Sequence, residues 1–422
     1  MKTASDLMRT LKSEEGMERL AQLYGCQNGK MARQLERYML LLKRYVDLFG
    51  EGQAPRILSA PGRTELCGNH TDHNNGLVMA AAVDLDTVAA VSPRADMLVR
   101  LHSEGFPAVE LDLSDLAPVK AEEGTPASII RGIANRMTEL GHRVGGFDAA
   151  VTSNVLTGSG LSSSAAFEVL IVAVFDELFN GMVVDPVTRA EISQYAENVY
   201  FGKPSGLMDQ MASSVGGLVA IDFKDKPVVT PMQMDLTGYN LVVVNTGGSH
   251  DDLTADYAAV RQEMHAVARC FGEETLRRVR PEQLWHDLAR VRREVGERPA
   301  LRAFHYLNEN DRVRALIKAV RQDDVESFKR ILIESGRSSW MYLQNVYANP
   351  ANQSLGLALS MAEYMLSGCG AWRVHGGGFA GTTLNIVPQD QLDRFVRHMS
   401  DVFGDHACHV LSIRPEGAAI VF

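Results

Sequence analysis

Apolar residues recur at helical spacing in the first fifty positions. Leu35, Met39, Leu42, Tyr45 and Val46 mark one stripe of an expected helix over residues 31–49, which Gly50 and Gly52 stop before Pro55. The period then shortens. Residues 56–60 read as a strand closed by a Pro61-Gly62 turn, with further strands expected over 87–91, 97–102 and 147–152. Helices are expected over 127–140, closed by Gly141, over the continuously apolar 167–175, and over 186–201, ending at Gly202. Strands at 217–223 and 239–245 follow. From Leu253 to about Leu366 the chain is nearly all helical and highly charged, and strands at 371–375, 382–387, 409–413 and 418–422 close it. The change of character near residue 227 predicts two α+β halves, 1–227 and 228–422, with a cleft between them. The last strands, about 408–422, are free to return to the first half.

At 422 residues the chain can bury two sizeable cores. Its 45% apolar and 22% charged content are those of an ordinary soluble globular protein. A formal net charge of −10 argues against nucleic acid or an anionic membrane surface as partner, though not against a bound nucleotide. No apolar run reaches the length of a membrane span, and the first residues lack the apolar core of a signal peptide. The five cysteines are odd in number and scattered without CxxC spacing, as free thiols in a reducing compartment would be. A cytoplasmic protein is expected, with a monomer as its simplest state.

Candidate chemistry centres on the stretch from Asn154 to Ala166. An expected strand leads into Gly158-Ser159-Gly160-Leu161-Ser162-Ser163-Ser164, which runs straight into the apolar helix. Glycines let backbone approach a ligand closely, and the free N–H groups of a helix N-terminus attract anions. Three serines add hydroxyls for phosphate oxygens or a magnesium ion. A flexible linker would not enter an apolar helix directly, and the loop matches neither the Walker pattern nor a dinucleotide fingerprint. His70-Thr71-Asp72-His73 has the look of a metal cluster, but the further cysteines or histidines a structural zinc needs are not spaced for it.

Three separated stretches, in order, resemble the three motifs of the galactokinase, homoserine kinase, mevalonate kinase and phosphomevalonate kinase superfamily. Residues 60–73, with Gly62-Arg63 and Gly68-Asn69-His70-Thr71-Asp72-His73, resemble the galactokinase signature. The serine loop resembles the ATP-phosphate loop, and Val374-His375-Gly376-Gly377-Gly378-Phe379-Ala380-Gly381 resembles the third motif. Gly206-Leu207-Met208-Asp209-Gln210 and residues 250–257 add support. The resemblance covers the chain from about residue 45 onward. It implies a two-domain α+β fold with the active site in the cleft between domains, ATP and magnesium as ligands, and phosphorylation of a small-molecule sugar at its anomeric hydroxyl.

Residue by residue, the resemblance implies Asp209 as general base or sugar-orienting carboxylate and Arg63 as the catalytic arginine. Gly158, Ser159, Gly160, Leu161, Ser162, Ser163 and Ser164 would meet ATP phosphates, and Ser164 and Glu197 would hold magnesium. Asn69, His70, Asp72, Gly206 and Tyr257 would contact the sugar. The chain departs from the family at four places. Asn69 stands where galactokinases carry the glutamate that holds the sugar's 6-hydroxyl, Glu65 replaces an asparagine, His73 a tyrosine and Ser205 a cysteine. Either Glu65 reaches that hydroxyl instead, or galactose is held less tightly there. An asparagine also tolerates a 6-carboxylate that a glutamate would repel. Galactose is the expected substrate, galacturonate the alternative, N-acetylgalactosamine a third, and a catalytically silent ATP- and sugar-binding regulator the reading from another class.

Overall fold

Residues 2–25, 28–155, 160–247, 253–379 and 381–422 are described in the computed structural model. Its organising strands are β1 (Arg56–Cys67) and β2 (Leu77–Pro93), paired antiparallel. On the other edge of β2, β5 (Phe147–Ser153) leads to β3 (Leu98–Ser103) and β4 (Val109–Asp112), while β6 (Leu218–Asp222) and β7 (Val228–Met232) continue from the early part of β2. The sheet takes β12 (Ala419–Ile420) beside β1, so the C-terminal segment returns to the first half. A second sheet runs in the order β11 (Cys408–Leu411), β8 (Tyr239–Asn245), β10 (Thr382–Pro388), β9 (Ala371–Val374).

Both faces of the large sheet are covered. Ala89, Val91, Phe147 and Val151 face the helices Pro126–Glu139 and Ser163–Phe179. Val88, Ala90 and Ala150 face three N-terminal helices, through Tyr24, Tyr38 and Tyr45. A strand buried on both sides loses its alternation of polar and apolar positions. That is why β2, rich in alanine and valine, extends back to Leu77 when only its second half reads as strand. β7, which carries Pro231, was also not expected.

The anticipated turn at Pro61-Gly62 is a correction of a different kind. Both residues lie within β1, where the register against β2 shifts between Pro61 and Arg63. The irregularity accommodates a proline that cannot donate to the ladder and turns the Arg63 N–H to the carbonyl of Leu161, 3.1 Å away. Gly62 lies so close to that loop that a Cβ there would sit 2.8 Å from the same oxygen.

One buried carboxylate ties the halves of the chain together. Asp86 accepts hydrogen bonds from Arg37 (2.6 Å) of the helix Asn28–Phe49 and from Arg414 (2.7 Å) near the C-terminus, and also from Tyr24 and Ser59. Burial disfavours its charge, yet the two guanidinium groups hold Asp86 below the usual carboxylate range. Among the described residues no helix is long and apolar enough to cross a membrane, and the four cysteines there are free.

Candidate active site

Gly158 and Ser159 lie outside the described residues; from Gly160 onward the loop's geometry is clear. Gly160 and Leu161 bring the chain to Ser162, which holds a left-handed backbone (φ +59°) and starts the helix Ser163–Phe179. A serine in this place normally caps the helix with its hydroxyl. Here the Ser162 hydroxyl donates instead to Asp209 and makes no cap bond to the helix end. Ser163 and the exposed Ser164 follow, so the first N–H groups keep their capacity for an anion.

Asp209 sits in the first turn of the helix Met208–Val215. Its carboxylate does not cap that helix. It meets Arg63 in a two-pronged pair, Nε to Oδ1 at 2.7 Å and Nη2 to Oδ2 at 2.8 Å, while Nη1 of Arg63 donates to the Gly160 carbonyl. A planar guanidinium is suited to this fork and loses little freedom in forming it. Burial works against the charge on Asp209, but Arg63 and the hydroxyl of Ser162 hold the group below the ordinary carboxylate range. The loop, the arginine and the aspartate are thus brought together from three distant stretches.

Asp72 shares this space. Its Oδ1 accepts the His73 N–H at 2.8 Å, and its Oδ2 lies against Gly206, where a Cβ would come within 1.7 Å. Any side chain at 206 would displace the carboxylate. Burial, with the neighbouring negative charge of Asp209, pushes Asp72 up to about 6. His70, with φ +56°, donates from Nε2 to the Gly377 carbonyl (2.8 Å) and stacks on Tyr257 at 6.4 Å between centroids. The Tyr257 hydroxyl donates to the Gly378 carbonyl at 2.8 Å, and Gly377 is packed so closely that a Cβ would lie 2.5 Å from the tyrosine ring. The glycine turn supports the site through its carbonyls and its lack of side chains.

Asn69 and Glu65 are placed otherwise. Both are buried, and the Asn69 amide is saturated within the protein. Its nitrogen donates to both Glu65 oxygens (3.1 Å each) and to Gly376 O (2.6 Å), and its oxygen accepts from Asn345 (2.8 Å) and Ser339 (3.3 Å). Glu65 forms an ion pair with the equally buried Arg373 at 2.7 Å. The exchanged pair is bonded to itself, and neither member presents a group to the cleft. Asn69→Glu is therefore expected to set two carboxylates side by side and to destabilise the fold by about 1–3 kcal/mol. The paired exchange Glu65→Asn/Asn69→Glu should recover part of that loss in thermal unfolding. An Asn69→Glu variant as stable as the parent would mean that its side chain turns into the cleft.

Glu197 lies on a π-helical turn, Ala196–Phe201, that widens the end of the helix Pro186–Tyr195. Its Oε2 accepts from Ser205 (2.5 Å) and Gln210 (2.9 Å), and its Oε1 from Lys203 (3.2 Å). A hydroxyl and a carboxylate are hard oxygen donors of the kind magnesium takes, one or two from the protein and the rest from phosphates and water. Ser164 stands one helical turn before Glu168, and Gln210 joins Glu168 to Glu197. Ser164 and Glu197 carry oxygen donors of that kind. Burial, with the charge of Glu197 beside it, pushes Glu168 well above the usual range. Lys203 and Glu168 escaped the reading of the sequence, and Ser205 and Gln210 entered it without this role, though a lone glutamate inside the run Phe167 to Phe175 is itself a signal of a buried partner.

Comparison with known proteins bears on the family and the fold. Residues 43–93 match the galactokinase galactose-binding signature, and residues 128–217 match the GHMP kinases N terminal domain. The chain is 32% identical to a galactokinase of Streptomyces coelicolor over 367 residues, 86% of this chain and 92% of the relative. It is also 32% identical to the Homo sapiens galactokinase over 381 residues, 88% and 93% of the two chains. In fold it is similar to the crystal structure of Lactococcus lactis galactokinase complexed with galactose, with a TM-score of 0.79 at 24% identity over 89% of this chain and 98% of the other. Methanococcus jannaschii mevalonate kinase follows at a TM-score of 0.62 and 13% identity, over 85% and 98% of the two chains.

Proposed function

The chain belongs to the galactokinase family of GHMP kinases, phosphotransferases acting on an alcohol group, and from that premise we propose that it transfers the γ-phosphoryl group of ATP to the anomeric hydroxyl of galactose. One observation carries the reading: the hydroxyl of Ser162 is spent on Asp209, so a helix N-terminus that it does not cap and an ionised carboxylate–guanidinium pair meet at a single residue. The helix end and Ser163 receive the phosphates. Asp72, Gly206 and His70 border the sugar. Asp209, kept ionised by Arg63, accepts the hydrogen bond of the reacting hydroxyl and takes its proton as transfer makes that oxygen acidic. Arg63 faces the charge that spreads over the transferring oxygens.

Ser164 and Glu197 would hold magnesium, which when bound neutralises phosphate charge and orients it. The free thiols support a reducing, cytoplasmic setting, and the protein acts as a monomer in this reading. Galacturonate is the second reading. The Asn69 amide is saturated internally and the Glu65 charge is paired with Arg373, so neither repels a 6-carboxylate. Arg261 supplies positive charge beside His73.

An ADP-release assay across galactose, galacturonate, N-acetylgalactosamine, glucose and mevalonate tests the assignment. Galactose is expected to give the highest kcat/KM. Faster turnover of galacturonate would select the second reading, and sugar and ATP binding without ADP release would make the protein a regulator. The kcat/KM for the sugar is also expected to fall as pH drops through about 6, where Asp72 gains a proton and stops accepting from a hydroxyl. Asp72→Asn should flatten that acid limb while lowering kcat/KM throughout.

A further inference from the structure

Glu168 is about 1% exposed and is the one charged residue in the apolar run from Phe167 to Phe175. It accepts a hydrogen bond from Gln210 Nε2 at 2.9 Å, and the same nitrogen donates to Glu197 Oε2, also at 2.9 Å. The two protons of one amide are thus shared between two buried carboxylates. The Gln210 oxygen is buried without a partner, so among the described residues the amide is held only through its nitrogen. Glu197 in turn is held through both oxygens. Oε2 takes Gln210 and Ser205 from the protein interior, and Oε1 accepts from Lys203 at 3.2 Å, whose side chain is 61% exposed. The exposed ammonium marks the direction of solvent, and Oε1 points that way.

We propose that Glu168 is a positioning residue for the cation site: acting through Gln210, it fixes the rotation of the Glu197 carboxylate so that Oε1 faces the cleft. The inference rests on the assignment of magnesium to Ser164 and Glu197 made above. Without Glu168 the Gln210 amide has a single acceptor and no reason to keep one rotamer, and Glu197 loses a fixed anchor. Gln210 follows Asp209 in the first turn of the helix Met208–Val215, so this link and the general base lie on one helix end.

The test is binding of Mn²⁺ in the presence of ADP, read from the electron paramagnetic resonance signal of free Mn²⁺, beside binding of ADP without metal. Glu168→Ala is expected to weaken Mn²⁺ binding about tenfold or more, the usual cost of losing an outer partner of a metal ligand, with metal-free ADP bound as in the parent. Glu168→Gln, whose amide oxygen still accepts from Gln210, should keep close to the parent's Mn²⁺ affinity. Parent-like Mn²⁺ affinity in Glu168→Ala overturns the proposal, as does an equal loss of metal-free ADP. Should that variant fail to fold, Gln210→Met removes the same link, and parent-like affinity there overturns it equally. If Glu197→Gln binds Mn²⁺ as the parent does, the magnesium assignment fails and the positioning role falls with it. If Glu197→Gln loses Mn²⁺ while Glu168→Ala does not, the positioning role alone is wrong.

Discussion

Asp209→Asn is expected to lower sugar-dependent ADP release by about 10²–10⁴-fold, the range that a positioned acid or base contributes, while leaving nucleotide binding near the parent's. The substitution keeps the shape that Arg63 and Ser162 hold and removes only the charge and the basicity. Because Arg63 keeps Asp209 low, its carboxylate is a weak base before transfer begins. Its advantage lies in the transition state, where the attacking oxygen becomes acidic as it bonds to phosphorus. The loss should therefore appear in kcat rather than in the KM for ATP. Steady-state kinetics with a fluorescent ADP analogue as binding control would check both parts, and turnover close to the parent's would take Asp209 out of the chemistry.

Arg373→Met is the change with the largest expected effect on the fold. Arg373 is fully buried, pairs with Glu65, and also donates to the Leu66 and Val374 carbonyls. Its removal leaves the Glu65 charge in the interior with only Asn69 for a partner, a situation that costs about 3–5 kcal/mol. The sign with pH follows from Glu65. Burial already raises its pKa in the folded state, and removing Arg373 raises it further. Ionisation then favours the unfolded chain, so the defect should be largest at neutral pH and shrink as pH falls through the folded pKa. Denaturant midpoints at two pH values would measure this. The double variant Glu65→Gln/Arg373→Met should recover much of the loss, and a single variant as stable as the parent would show that Glu65 is neutral throughout.

What the sequence disclosed was governed by how local the signal is. The helix ends at Gly141 and Gly202, the strand Tyr239–Asn245 and the serine loop each carry their cue within a few residues. Proline at 61 spoke for a turn, because a proline inside a strand needs a register shift that only the partner strand can supply. The first half of β2 lacked alternation because both of its faces are covered. The chemistry divides in the same way. Arg63, Asp72 and Asp209 were marked by the family motifs they stand in, not by their own type. The turning inward of Asn69 and Glu65 depends on Arg373, Gly376 and Asn345, some three hundred positions away, and no pattern near residue 69 reveals it. The substitution at 69 suggested altered contact with a sugar; the geometry describes a rearranged interior pair.

The buried carboxylate at Asp86 has a consequence for how this protein is made. Its partner Arg414 lies 328 positions later, and the edge strand at Ala419–Ile420 follows Arg414. While the polypeptide is still emerging from the ribosome, the strand that carries Arg63 lacks one neighbour and Asp86 lacks one guanidinium. Contacts so distant along the chain close slowly, and an unpaired strand edge invites association with other nascent chains. The sheet that carries Arg63 therefore stays incomplete until the segment from Arg414 to Ile420 has been made, a consequence of joining early and late segments in one sheet.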